Sequence, residues 1–337
     1  MKSIFSRKCI TPLVLLGVLG LFQSSCSVTE DSGVLDEHFT QAPEIPLKGS
    51  TRLKASDLPK DQRVVRLGVP SPVSVEITHQ RYKVVVATME KVLAIDIELQ
   101  VTETYEDLLD AMATGRVDLA VFSPKLYVLA QEKIPKLQPI VTQVALGVPF
   151  YSSFILVRGD DPARKLEDLV GRKVAFVSEG SASGFLFPYA AFLDAGLDPE
   201  EDFSEVKFAG DHFKAIQMLR FGEVDVIGTG SGMRRSALRA AGEVNPVTDS
   251  GLRVLAKAGR IPFDVLCASP KFPQSGVGKI KKAMMRMHAR TADGKTIWRA
   301  TDKISAWIPY IDERYEVIRT VHKRVNEHRV KAREDGP

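Results

Sequence analysis

The chain has 337 residues, 44% hydrophobic and 26% charged, with a formal net charge of +4. That length suggests two domains, each able to bury a core. No basic stripe interleaved with aromatics runs through it, which argues against nucleic acid as a partner. No His, Cys, Asp and Glu cluster has metal-ligand spacing, so neither a metal nor another cofactor is expected.

The first elements concern targeting. Lys2, Arg7 and Lys8 make a positive start, and Ile10 to Phe22 is an apolar run too short to span a bilayer comfortably. Ser24-Ser25-Cys26 follows. This reads as a secretory signal peptide. Its end resembles the lipobox of bacterial lipoproteins, with Cys26 as the lipidated residue and Gln23 departing from the usual aliphatic; plain cleavage nearby is the alternative. Without the leader's basic residues the chain is close to neutral. Of the three cysteines, Cys267 is left alone in an apolar run, a buried strand thiol with no disulfide partner. No other stretch is apolar for long enough to cross a membrane.

Residues 27–60 are polar and broken by Pro43, Pro46 and Pro59, and read as a tether or irregular arm. A strand at Val64–Val69 stops at Pro70-Ser71-Pro72. Tyr82, Val85, Val86, Met89, Val92 and Leu93 then share a helical face. A strand at Ile95–Val101, a helix around Tyr105–Met112 and a strand at Asp118–Phe122 follow. Strands alternating with helices imply an α/β fold with a parallel sheet.

The chain then echoes itself. Gly115-Arg116-Val117-Asp118 and Gly222-Glu223-Val224-Asp225 each end a helix and open a strand, with Gly suited to the left-handed helix end. Ligands bind beyond the carboxyl ends of such strands, so both halves aim comparable loops at something; a shared fold grammar is the plainer reading. Tyr151–Arg158 and Leu252–Ala258 are β-rich segments able to pass between halves. Val277–His288 reads as a basic helix. Tyr315, Ile318, Val321 and Val325 mark a last one, docked on the first half with its many cations solvated.

The stretch most suggestive of chemistry is 174–184. A strand runs out at Val177, Glu179-Gly180 turns, and Ser181-Ala182-Ser183-Gly184 opens a helix over Phe185–Ala195. The first amides of a helix have no partner within it and sit at the positive end of its dipole, so this turn suits a small anion. On this fragment alone, Ser181 as a plain helix cap is the first reading. His212 follows Asp211, a helix cap, and so lies at another helix start. Tyr127 stands one turn after Pro124, where its phenol is either turned to a cleft or packed in the core. Ser71 and Thr229 follow strand ends. Arg234-Arg235 reads as a solvated pair.

These residues, with the leader, resemble a type II periplasmic solute-binding protein. More specifically they resemble the phosphonate, phosphite and phosphate-binding branch of ABC transporter receptors. The resemblance is carried in order by Tyr105-Glu106-Asp107-Leu108-Leu109-Asp110-Ala111, Phe122-Ser123-Pro124-Lys125-Leu126-Tyr127, Tyr151-Ser152-Ser153, Leu166–Phe176 and Gly210-Asp211-His212. It covers roughly residues 62–270. It implies two α/β lobes joined by two crossing strands with a ligand cleft between them. Lobe 1 is expected at 61–156 and again at 255–337 with the C-terminal helices, and lobe 2 at 157–254, after a signal peptide at 1–26 and the arm at 27–60.

The implied ligand site comprises Ser181, Ala182, Ser183, Gly184, His212, Tyr127, Ser123 and Tyr151, although Tyr151 also reads as hinge packing. Ala182 stands where the family has Thr, and Ser123 where Gly is common. Gly228-Thr229-Gly230 stands where a cleft carboxylate is usual. The implied function is a lipid-tethered, exported, monomeric receptor that hands a small oxyanion to an ABC permease in the inner membrane. The alternative is a ligand-sensing module that presents its bound state to a membrane sensor. A hydrolase needs a nucleophile and an oriented base, and no Gly-x-Ser-x-Gly elbow is present. A DNA-binding regulator would need a helix-turn-helix, and none is read.

Overall fold

A computed structural model describes residues 49–233, 251–301 and 303–335. The leader, Cys26 and Arg234-Arg235 lie outside the described residues. Two mixed sheets form the framework. The first runs β1 (Val64–Pro70), β2 (Asp96–Thr102), β3 (Leu119–Phe122), β4 (Gln138–Ala145), β10 (Val265–Ala268) and β11 (Ile304–Pro309), in spatial order 11-4-10-3-1-2. The second holds β5 (Phe150–Arg158), β6 (Lys173–Phe176), β7 (Glu205–Phe208), β8 (Val226–Gly230) and β9 (Leu252–Pro262), in order 7-6-8-5-9. In each sheet three strands pair in parallel, β1 with β2 and β3, and β6 with β7 and β8. The remaining pairings are antiparallel, because the chain crosses twice and returns in the opposite sense.

The crossing points differ from the sequence expectation. The segments expected to bridge the halves, β5 and β9, pair with each other along their whole length inside the second sheet. The second lobe therefore begins near Phe150 rather than at 157, and ends near Pro262 rather than at 254. The links themselves are short: Leu146–Pro149 going out, and Phe263-Asp264 coming back, held by Phe263 N donating to Pro149 O at 3.2 Å and Gln143 N to Asp264 O at 2.9 Å. Part of the expected arm is also ordered on the first lobe. Leu53 and Leu58 are buried, Leu53 N donates to Leu93 O at 2.7 Å, and Asp57 pairs with Lys279 at 2.5 Å.

The helices follow from their caps. In the first lobe, α1 (Val75–Leu93) starts at Ser74, whose hydroxyl accepts from Ile77 N at 3.2 Å; α2 (Tyr105–Thr114) starts at Thr104, which accepts from Asp107 N at 3.0 Å. α3 (Pro124–Lys133) opens on a proline. In the second lobe α4 (Phe187–Asp194) and α5 (His212–Arg220) cover the sheet. The chain returns through α6 (Gln274–Arg286), α7 (Ala292–Ala300) and α8 (Glu316–Asp335). The helix expected over 185–195 is preceded by a wider π turn at Ala182–Leu186.

The echo between halves has a physical basis. Gly115 and Gly222 end α2 and α5 with the same left-handed φ of 76°. The aspartate three residues on then ties its own strand to the parallel neighbour. Asp118 accepts from Arg66 N at 2.9 Å and from the Arg66 guanidinium at 2.7 and 2.9 Å. Asp225 accepts from Lys173 N at 3.1 Å and from Arg158 at 2.8 Å. The Asp118 side chain is 5% exposed and that of Asp225 22%. Removing one partner of a buried, hydrogen-bonded pair leaves the other unpaired. Asp118→Ala is therefore expected to lower the unfolding free energy by about 3 kcal/mol and Asp225→Ala by about half as much, read by urea denaturation; equal small losses would show that the strand ties are not what the repeat supplies.

Candidate functional site

Both lobes send helix starts and strand ends to the gap between them. From the first lobe come the turn after β1 (Pro70–Pro72), Tyr105 at the start of α2 and Ser123-Pro124-Lys125 at the start of α3. The second supplies Ser178–Gly184 after β6, Asp211-His212 at the start of α5 and Thr229-Gly230 at the end of β8. Tyr151 and Asp264 stand beside the crossing links.

The two halves touch here. His212 N donates to Pro72 O at 3.0 Å, and Ser123 Oγ to Gly180 O at 3.4 Å. A side chain at Gly180 would bring its Cβ within 2.6 Å of Tyr105 Cβ, so glycine is required for this approach.

The serine turn carries the helix cap read from sequence. Ser181 Oγ accepts from Gly184 N at 3.0 Å, a cap that leaves the hydroxyl proton free to donate elsewhere. Ser181 N is spent on Ser178 O at 3.0 Å, and Leu186 N on Ser181 O at 3.1 Å. The amides of Ala182 and Ser183 have no acceptor among the described residues, as expected of the first donors of a helix. Both serines are buried, and each lies within polar reach of a tyrosine: Ser181 by Tyr105, Ser183 by Tyr151. The Ser183 carbonyl is held by Ser153 Oγ at 2.9 Å. A Cβ at Gly230 would lie 3.0 Å from Ser183 Oγ and 3.2 Å from the Tyr151 ring, so no carboxylate fits in its place without a shift.

His212 is 2% exposed, and its Nδ1 lies 2.8 Å from Thr229 Oγ1. Burial holds its pKa down to about 3, so the ring is neutral. With Thr229 as donor to Nδ1, the ring proton sits on Nε2. The imidazole partner is thus a threonine and not either serine of the turn.

Three residues stand differently from the sequence expectation. Tyr127 is fully buried in the first lobe, its ring packed edge-on against Tyr310 and Tyr315 at 5.5 and 5.1 Å and its hydroxyl donating to Tyr310 at 2.7 Å. Its phenol is therefore spent in the core, because the first turn of α3 faces the start of α8. Tyr105, read from sequence only as a helix-face residue, occupies the gap instead; its place directly after the Thr104 cap was the available signal. Asp264 supplies a carboxylate that the reading of Gly228-Thr229-Gly230 found missing. Burial pushes its pKa up to about 7. Its field reaches Tyr105, Tyr151 and Tyr315, and no donor among the described residues is hydrogen-bonded to its carboxylate oxygens. A lone acid inside Ile261–Ala268, otherwise without charge, was the mark in the sequence. Among the described residues no group of acidic, His or Cys side chains is placed to hold a metal.

These shifts give opposite pH slopes. Asp264 has a raised pKa in the folded chain, so stability is full below its ordinary 3.8 and is lost as pH rises through about 7. His212 has a lowered one, so its contribution is full above 6.5 and is lost as pH falls toward about 3. Asp264→Asn is expected to raise the melting temperature of the ligand-free protein at pH 8 and to leave it unchanged at pH 4. A gain of equal size at both values would mean that ionisation of Asp264 is not the cause.

Comparison with known proteins accords with this geometry. The family model described as "ABC transporter, phosphonate, periplasmic substrate-binding protein" matches residues 67–315. The chain is 29% identical over 261 residues to the phosphate-import protein PhnD of Mycolicibacterium smegmatis, covering 71% of this chain and 79% of that one. It is 23% identical over 266 residues to the phosphonates-binding periplasmic protein of Escherichia coli, covering 77% and 75%. In structure it resembles PhnD1 from Prochlorococcus marinus, solved with methylphosphonate, at a TM-score of 0.69 and 17% identity, over 78% of this chain and 98% of that one. The fold is that of the two-lobed type II periplasmic binding proteins, and the chain belongs to the family of periplasmic substrate-binding proteins of phosphonate ABC transporters.

Proposed function

We propose that the protein captures a small phosphorus oxyanion, phosphate or a phosphonate or phosphite, between its lobes for delivery to a membrane permease. The reading is carried by one observation: the serine turn, the neutral His212, two tyrosines and the Asp264 carboxylate converge on the same gap. The free amides of Ala182 and Ser183, the hydroxyls of Ser181 and Ser183, and His212 Nε2 offer donors to the anion's oxygens. The Asp264 carboxylate offers an acceptor with no hydrogen-bond donor of its own among the described residues. Phosphate groups give up their second proton at a pH on the order of 6, and burial pushes the Asp264 pKa up to about 7. One proton shared between ligand and carboxylate satisfies both. Sulfate brings no such proton at neutral pH, and an ionised Asp264 would repel it. The names of the M. smegmatis and E. coli relatives support this ligand class.

Several charge-assisted bonds in a gap with little water can supply the roughly −8 kcal/mol of micromolar binding. Calorimetry of the purified protein against phosphate, phosphite, methylphosphonate and sulfate tests the reading. At least one phosphorus oxyanion is expected to bind at least 100-fold more tightly than sulfate at pH 7. Binding should weaken above pH 8 as the shared proton is lost, and Asp264→Asn should shrink the preference over sulfate at least tenfold. No heat with any phosphorus ligand, or equal binding of sulfate, refutes it.

The family implies export to the periplasm, and we infer further that the mature chain is held at the membrane by lipid on Cys26. Support comes from the short apolar run and the small residues before it. Cys26→Ala is expected to abolish incorporation of labelled fatty acid and to move the protein from the membrane to the soluble fraction. Unchanged membrane retention would refute the anchor.

A further inference from the structure

The serine turn is held from outside the gap as well as facing into it. Glu179, two residues before Ser181, is gripped by two cations of the first lobe. The Lys125 ammonium donates to the Glu179 carbonyl, and Arg329 Nη2 of α8 lies 2.8 Å from Glu179 Oε1. Both cations also lie over the Phe185 ring, at 4.5 and 5.2 Å from its centroid. Lys125 is only 3% exposed. A lysine amine is costly to bury, and here its one hydrogen-bond acceptor among the described residues belongs to the opposite lobe. The carboxylate of Glu106 on α2 is the other charge within its field.

α8 continues the grip. Its root packs in the first lobe through Tyr315 and Ile318, with Arg319 Nη2 2.9 Å from Gln131 Oε1. Its far half reaches the second lobe: Arg324 pairs with Asp194 at 2.6 Å, His328 Nε2 lies 3.0 Å from Asp198, and Arg329 Nε lies 3.3 Å from Glu200. Any separation of the lobes at the gap must withdraw Lys125 from Glu179 and strain this row. The sequence reading had left the cations of α8 to solvent.

We propose that Lys125 and Arg329 are positioning residues that clamp the anion-facing turn onto the first lobe and hold the two lobes together before any ligand is bound. The clamp rests on the reading that the ligand lies between the lobes, but neither residue contacts the groups assigned to the ligand. It acts by fixing Glu179, and through it the amides of Ala182 and Ser183, relative to Tyr105.

The test uses spin labels at Lys83 and Glu223, exposed positions on the two lobes, with interlobe distances measured with and without phosphate or methylphosphonate. The variants are Lys125→Met, Arg329→Gln and the two combined, with Arg329→Lys as the conservative rescue and Ser183→Ala as a reference. Circular dichroism selects the variants that fold. The double variant is expected to shift the ligand-free distances toward an open form and to weaken binding 10-fold or more; Arg329→Lys should recover most of both. Ser183→Ala should weaken binding while leaving the ligand-free distances unchanged. A lowered melting temperature with unchanged ligand-free distances overturns the clamp, as does a double variant that binds within twofold of the parent. If the parent binds neither probe, the function reading fails on its own, and the ligand-free distances still decide the clamp.

Discussion

The site depends on two backbones approaching each other across a gap. Its donors are amides, hydroxyls and a neutral imidazole, each of which competes poorly with water while water is present. They gain strength only where the solvent is excluded and the dielectric falls. That exclusion requires the turn at Gly180 to lie against Tyr105 and the amide of His212 to reach Pro72 O. Both contacts leave no room for a side chain or a water layer. The anion-facing geometry is therefore a property of the pair of lobes, and each lobe alone presents only half of it.

The electrostatics follow the same logic. Within the gap, burial disfavours every charge: His212 is kept neutral, Asp264 is held protonated to near neutrality and the tyrosines are pushed further from ionisation. The full positive charges stand one layer out, on Lys125 and Arg329, where they are partnered by Glu179. On the proposed reading, a neutral inner layer that includes the titratable Asp264 would distinguish anions by their protons, whereas a ring of arginines would distinguish them mainly by charge. The outer cations then act on the shape of the turn. On the proposed reading, ligand selection and the interlobe clamp rest on different residues.

The halves are built by one device used twice. Asp118 and Asp225 each follow a helix that ends on glycine, and each bonds an amide near the start of the neighbouring parallel strand and an arginine. Such ties set the height of the strand ends above which Tyr105 and the serine turn sit. The buried apolar cluster is continuous from Tyr105 and Phe122 in the first lobe to Phe176 and Phe185 in the second. Phe185 is the point where that cluster meets the clamp, since its ring lies under both Lys125 and Arg329.

Local rules were enough for much of this to be read from the chain. Ser74, Thr104 and Asp211 mark helix starts because a short polar side chain satisfies an orphan amide. Gly115 and Gly222 mark helix ends because only the left-handed region closes the last turn. The order of the family motifs carried the two-lobed fold and pointed to the serine turn. What the chain alone left undecided were relations between distant segments. Whether Tyr127 or Tyr105 entered the gap turned on which of them met Tyr310 and Tyr315 from the far end of the chain, and both tyrosines stand in the first turn of a helix. The origin of the carboxylate was equally hidden: Asp264 is 34 positions beyond Gly230 in sequence, and only the return crossing brings it to the same gap. The cations of α8 looked solvated for the same reason, since their acidic partners lie on the other lobe. Sequence by itself determined the elements, their caps and the repeated strand tie, because those depend on neighbours a few residues away. The tertiary structure alone decided which side chains face the gap and which hold it shut, because that depends on how two lobes, joined by short crossings, come together.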